Sequence, residues 1–208
     1  LMNEQLLKMN GLSVEILDTL SFESHLGIPL KNNLHYFDKD LLIAELVAMT
    51  EWLDEQELLS GIALDYRVKS LDSILLKYDR YYPDHQTRKV FNDILGFRAF
   101  CDSYDQILEE ESVQFRIADM SSGKAVDHGY RGVHVYYQKS GKYYPIEIQF
   151  NTLFDRQLNN WLHDYLYKKD YPIETGRILR EKYESGLIRN EHEFKEVLNN
   201  VLSGSERS

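Results

Sequence analysis

The sequence predicts an α+β fold, a mixed β-sheet of about five strands flanked by helices, with extra helices at both ends. Three observations carry this. Residues 131–150 alternate as two strands around a polar turn, and residues 62–69 alternate and then run into a Ser70-capped helix. Residues 38–59 place Leu41, Leu42, Leu46, Met49 and Leu53 at three- and four-residue spacing, the signature of a helix with one apolar face.

In chain order, residues 1–35 mix short apolar pieces with Gly11, Gly27 and Pro29 and predict one or two short helices. Asp38 is placed to cap the helix that follows, and Gly61 to end it. The next strand, 62–69, sets Ile62, Leu64, Tyr66 and Val68 on one face and Asp65, Arg67 and Lys69 on the other. The helix after Ser70 runs to about Tyr82, where Pro83 stops it. Residues 92–101 predict a second strand, 102–111 a short acidic helix, 113–117 a third strand, and the small, polar run 119–130 a loop. Val133, Val135 and Tyr137, then Ile146, Ile148 and Phe150, mark the core faces of two further strands, with Ser140-Gly141 at the turn. Their opposite faces carry His134, Glu147 and Gln149, which a solvated face does not require. Helices follow over 153–170, 174–184 and 191–202, and the tail from Ser203 is expected to fray. We expect one domain over 1–208: a core of about 61–169, an N-terminal helical region over 1–60 and C-terminal helices over 170–208.

Composition bounds the function. With 43% hydrophobic and 28% charged residues among 208, the chain is an ordinary globular sequence able to bury one good core. No apolar run reaches the roughly 20 residues of a membrane span, no signal-peptide pattern opens the chain, and Cys101 is the lone cysteine. A cytoplasmic location away from membranes is expected. A net charge of −10 argues against a general, charge-driven nucleic-acid binder but leaves room for a local basic site.

Such a site is visible at the first strand–helix junction. Arg67, Lys69, Ser73 and Lys77 converge there with the free N–H groups of a helix start, a set that complements a polyphosphate. The alternative is a solvated sheet face. Asp93, Arg98 and Glu147 add two carboxylates and a further guanidinium.

Taken in order, Arg67-x-Lys69-x-x-x-Ser73-x-x-x-Lys77, Asp93-x-x-Gly96-x-Arg98, Gly129-Tyr130-Arg131-Gly132-x-His134 and Glu147-Ile148-Gln149 resemble the synthetase domain of the RelA/SpoT family, with a nucleotidyltransferase-like fold. His163, eleven residues after Thr152, matches the helix that follows the Glu-x-Gln strand in that family, and with His128 and Asn151 it is expected among the acceptor-binding residues. The resemblance implies transfer of pyrophosphate from ATP to a ribose 3′-hydroxyl, with Mg²⁺ as cofactor. It implies that Arg67 and Arg98 sandwich the adenine and that Lys69, Ser73 and Lys77 hold the phosphates. Asp93 and Glu147 would hold the metal, and Glu147 would also accept the proton of the attacking hydroxyl. Tyr130 would stack on the acceptor base, with His134 and Gln149 positioning it; for His134 the competing reading is a buried side chain hydrogen-bonded to a neighbour.

Two positions depart from the guanosine-nucleotide enzymes. His128 stands where an asparagine usually precedes Gly-Tyr, and Asn151 where an arginine usually follows the Glu-x-Gln strand. With them the chain resembles the toxic (toxSAS, FaRel-like) branch of single-domain small alarmone synthetases, which implies the 3′-CCA end of tRNA as acceptor and an antitoxin protein as partner. Lys168, Lys169, Arg177, Arg180 and Lys182 are the candidate tRNA-docking cations, against the alternative of a solvated helix face. Two other readings stay open: synthesis of (p)ppGpp or a related alarmone from GDP or GTP, in a homo-oligomer assembled through the terminal helices, and a catalytically silent nucleotide-binding module.

Overall fold

Five strands form one mixed sheet in a computed structural model of the chain, which describes residues 4–108 and 113–204. They are β1 (Asp65–Val68), β2 (Leu95–Phe100), β3 (Phe115–Met120), β4 (Gly132–Tyr137) and β5 (Ile146–Asn151), in the spatial order β1-β2-β5-β4-β3. β1 runs antiparallel to β2, with Arg67 opposite Gly96 and Asp65 opposite Arg98. The predicted α+β class with its five-stranded mixed sheet is the observed one.

The chain groups into two compact units: Leu1–Ala99, Asp105–Ala118 and His134–Phe150 in the first, and Phe100–Tyr104, Asp119–Val133 and Asn151–Ser208 in the second. The first holds α1 (Glu4–Met9), α2 (Val14–Thr19), α3 (Lys39–Asp54), α4 (Glu57–Ser60), α5 (Leu71–Tyr81), α6 (Thr87–Val90) and α7 (Asp105–Leu108). Its core joins Leu42, Leu46, Met49 and Leu53 of α3 and Ile74 and Tyr78 of α5 to Phe97, Val135, Tyr137, Ile146, Ile148 and Phe150 of the strands, all buried. Each such side chain contributes roughly 1.5–3 kcal/mol on leaving water.

The second unit holds α8 (Leu153–Tyr165), α9 (Glu174–Glu184) and α10 (Glu191–Ser203). Leu158 and Leu162 of α8 pack with Leu179 and Tyr183 of α9, Ile188, and Phe194 and Leu198 of α10, with Trp161 and Tyr165 at the margin.

Five of the described helix starts follow the rule that a short polar side chain satisfies an orphan N–H, those at Ser13, Asp38, Ser70, Thr152 and Asn190. Asp38 accepts from Leu41 N at 3.0 Å, Ser70 from Ser73 N at 3.4 Å and Thr152 from Asp155 N at 3.2 Å. Several boundaries differ from expectation. The helix expected over 38–59 breaks at Glu55 and Gln56 into α3 and α4. The helix expected to reach 170 ends at Tyr165, and α6 lies just ahead of the expected second strand. β1 is an edge strand with all but Val68 exposed, so Tyr66 is on the surface at 44% where alternation placed it in the core. Residues 109–111 of the expected acidic helix and 205–208 of the expected frayed tail lie outside the described residues.

Candidate active site

In the first unit, Asp93 gathers three cations. Its Oδ2 lies 2.5 Å from Lys69 Nζ and 3.5 Å from an Arg67 guanidinium nitrogen, and its Oδ1 lies 2.9 Å from Lys77 Nζ. The local folding explains the grouping. Lys69 leaves the end of β1, where its backbone N–H bonds to Ile94 O at 2.8 Å, and Lys77 comes back one turn after Ser73 on α5 and also donates to Val90 O. Burial alone would raise the Asp93 pKa, but Lys77 and Lys69 together hold the carboxyl below its ordinary value. Burial is also what lowers the Lys69 pKa, with Asp93 opposing the shift. One carboxylate cannot neutralise three cations, so the group keeps a surplus of positive charge.

Arg67 belongs to both this cluster and the cleft beside it, which has a volume of about 450 Å³. Arg67 and Arg98 line it from the β1–β2 pair, with Tyr66, Gly96, Glu147 and Gln149. Both arginines are exposed, whereas Glu147, on a central strand, is only 4% exposed. A Cβ on Gly96 would stand 3.3 Å from a Glu147 oxygen, so the glycine gives that carboxylate its room. Glu147 is held at both oxygens: His134 Nδ1 lies 2.9 Å from one and Gln149 Nε2 donates to the other at 2.7 Å. Burial pushes the Glu147 pKa up, and the His134 and Gln149 contacts outweigh it, leaving the pKa lowered. The carboxylate is thus kept ionised although buried. Ser73 stands in the first turn of α5, where its hydroxyl accepts from Ser70.

Two carboxylates kept ionised by their neighbours are a hard-oxygen pair that fits Mg²⁺, which takes one or two carboxylates plus substrate phosphates and water. Among the described residues no group of three or more His, Cys, Asp or Glu forms a dedicated cage. Asp93 and Glu147 are the two residues here that could hold a magnesium ion, whose chemistry would be to neutralise the charge of the transferred phosphates.

In the second unit, the segment 127–131 makes a closed turn. Asp127 accepts from Gly129 N at 2.8 Å and forms a two-nitrogen pair with Arg131, at 2.8 and 2.9 Å. Tyr130 is half-buried and has Lys124 over its ring, and His128 is exposed.

Three residues expected to meet the acceptor or tRNA are placed otherwise. Asn151 is buried, its amide donating to Arg131 O at 2.9 Å and accepting from Arg156 Nε at 3.0 Å, which makes it a brace rather than a substrate contact. His163 sits on the solvent face of α8 beside Asp164. Arg180 is fully buried, 2.6 Å from Asp155, and cannot be a docking cation. Of the other docking candidates, Lys168, Lys169 and Arg177 are exposed, with Arg177 paired to Glu181, and Lys182 is half-buried. His134 is half-buried and lies 2.9 Å from Glu147, a contact that the competing reading expects.

Charge alone could not reveal the inward direction of Arg180. The available signal was a stripe on α9, Gly176, Arg180 and Tyr183 at four- and three-residue spacing, facing inward with Leu179. Asp155 and Asn159, interleaved with Leu158 and Leu162 on the buried face of α8, are a second such sign.

No curated relative matches. Among solved structures, small alarmone synthetase 1 from Bacillus subtilis bound to its product pppGpp is 25% identical, with 77% of this chain and 89% of that one covered and a TM-score of 0.43. Small alarmone synthetase 2 from Bacillus subtilis is 20% identical, with 81% and 92% covered and a TM-score of 0.42. A GTP pyrophosphokinase family protein from Streptococcus pneumoniae is 23% identical, with 77% and 89% covered and a TM-score of 0.41. The decisive match is to the family described as "Region found in RelA / SpoT proteins", over residues 66–171. That segment is just over half the chain and contains every carboxylate and cation of the first-unit cluster, so the chain belongs to the RelA/SpoT family of ATP-dependent pyrophosphotransferases.

Proposed function

We propose that the protein transfers pyrophosphate from ATP to the ribose 3′-hydroxyl of a free guanosine nucleotide, with Mg²⁺. The observation that carries the transfer reaction is the cationic surplus around Asp93 adjoining a cleft that holds the ionised Glu147. Phosphoryl-type transfer depends on placement and on neutralising spreading negative charge, and this chain supplies groups for both. In this reading Arg67 and Arg98 flank the adenine, and Lys69, Lys77 and Ser73 take the phosphates. Glu147, oriented by His134 and Gln149, accepts the proton that the 3′-oxygen loses as that oxygen forms its bond to the β-phosphorus and AMP leaves. Tyr130 stacks on the acceptor base.

The surface argues for a small acceptor over tRNA. Nucleic-acid affinity comes chiefly from cations that displace counterions along the backbone. With Arg180 buried, residues 168–184 present Lys168, Lys169, Arg177 and Lys182 against Asp170, Glu174, Glu181 and Glu184, and no net positive charge remains there.

A second reading, the tRNA 3′ end with an antitoxin partner, is favoured by one observation. His128 is exposed directly before Gly129-Tyr130, where it is free to replace a guanine-reading amide. ATP labelled in its β- or γ-phosphate, incubated with Mg²⁺ and separately with GDP, GTP or bulk tRNA, decides between them. Label on GDP or GTP alone is expected. Label on tRNA alone would replace the guanosine nucleotide with the second reading, and label on none would overturn the transfer reaction.

A further inference from the structure

We propose that Arg180 is a positioning residue for the acceptor nucleotide: with Gly176 it fixes the backbone turn 128–131 whose Tyr130 stacks on the acceptor base. This inference rests on the stacking role given to Tyr130 above.

Every backbone carbonyl of that turn is tied. His128 O accepts from Tyr167 Oη at 3.0 Å, and Gly129 O from Arg180 Nε at 2.7 Å. Tyr130 O accepts from Arg131 Nη1 at 2.9 Å, and Arg131 O accepts from Asn159 Nδ2 at 2.7 Å and Asn151 Nδ2 at 2.9 Å. Arg180 also reaches Asn159 Oδ1 at 3.1 Å, the same oxygen that accepts from Arg131 N at 3.2 Å. The guanidinium therefore holds the turn on both sides of Tyr130, directly at Gly129 and through Asn159 at Arg131.

Two glycines let helix and turn touch backbone to backbone. A Cβ on Gly176 would lie 2.0 Å from His128 O, and one on Gly129 would lie 2.3 Å from Gly176 O. Gly129 also has φ +86°, a conformation that L side chains rarely adopt.

A buried arginine is a demanding way to hold a fold together, since packed apolar side chains of similar volume stabilise as well or better. What an apolar residue cannot do is pin a carbonyl at a set distance and direction. Here the pinned carbonyls flank a single aromatic ring, which is what pre-organisation of a stacking site requires.

The test uses whichever of GDP and bulk tRNA takes label in the assay above. Arg180→Lys keeps the charge and loses the fork, and is expected to raise the acceptor KM about tenfold or more while leaving the ATP KM within about twofold. Amide hydrogen exchange of the peptide covering 127–133 should quicken in the same variant. Tyr167→Phe removes one exposed tie without threatening the core, and is expected to raise the acceptor KM about twofold to threefold. That variant keeps the question open to measurement if Arg180→Lys does not fold. In a cycle with Tyr130→Ala, the double variant should match Tyr130→Ala alone.

Additive losses, equal rises in both KM values, or unchanged exchange over 127–133 would overturn the positioning role. An acceptor KM that Tyr130→Ala leaves unchanged removes the stacking reading and this inference with it. A KM that Tyr130→Ala raises and neither Arg180→Lys nor Tyr167→Phe moves sinks this inference alone.

Discussion

Asp93 in the first unit and Arg180 in the second are both buried ions within 3 Å of opposite charge, yet their surroundings assign them different work. Asp93 has three cations around it, including the largely exposed Arg67, so its cluster carries excess positive charge at the edge of a cleft. Arg180 has Asp155 at 2.6 Å and Glu184 at 3.8 Å, and its remaining nitrogens go to a backbone carbonyl and an asparagine oxygen. The first cluster is electrically unfinished and ready for an anion. The second is closed, with its hydrogen-bonding capacity turned on its own unit. Burial of a charge alone therefore separates nothing. What differs is the sign of the surplus charge and where it lies: the Asp93 cluster has excess cations beside a cleft, and Arg180 spends its donors on the backbone and side chains of its own unit.

Substitutions can break or sharpen this contrast. The largest effect is expected for Glu147→Gln, which removes the proposed base: turnover should fall about 10²–10⁴-fold with thermal stability nearly unchanged. Near-normal turnover, measured with labelled ATP, would take Glu147 out of the mechanism. Arg180→Met should cost roughly 3–5 kcal/mol in urea unfolding, because it strands the Asp155 carboxylate. A loss below 1 kcal/mol would mean that the second cluster is not a brace.

Lys69→Met should weaken ATP binding about tenfold or more, as a charge-assisted contact is lost. It should leave unfolding almost untouched, since Asp93 keeps Lys77 and Arg67. Calorimetric titration with a non-hydrolysable ATP analogue checks the first effect. If stability collapses instead, Lys69 belongs with Arg180.

A smaller effect concerns acid. The Arg131 hydrogen bonds hold the Asp127 pKa below the ordinary aspartate range, against the opposing effect of burial. A depressed folded pKa means the pair is fully present above the unfolded value and is lost as pH falls through the folded one. The Gly129 amide, bonded to Asp127, should report that transition by NMR with a midpoint below the ordinary range. A midpoint at or above it would show that the turn does not depend on this pair. The smallest effect is reserved for the surface: replacing Lys168, Lys169 and Arg177 together by glutamine should leave activity on GDP unchanged. A selective loss on tRNA in the labelling assay would restore that surface as a docking site.

Much of this was legible in sequence because it depends on periodicity or on local chemistry. Alternation found β4 and β5, and the caps at Asp38 and Ser70 are the short polar residues that helix starts call for. Other features depend on the third dimension. Nothing local marks the break between α3 and α4, where Glu55 and Gln56 are ordinary helix residues without a glycine or proline. Tyr66 alternates like a core residue, but on the edge strand β1 it stays 44% exposed. Residue type also says too little about Asn151 and Arg180. An amide and a guanidinium can face solvent, ligand or backbone, and only the close approach of α9 to the turn at 128 decides it.

The contact between Gly176 and His128 has a further consequence, for how much chain a working enzyme needs. The family segment ends at residue 171, ahead of both Gly176 and Arg180. A boundary drawn where the family match ends would therefore leave the Tyr130 motif in place but discard the two residues that press its turn into shape. For this protein the unit of recognition and the unit of operation have different lengths.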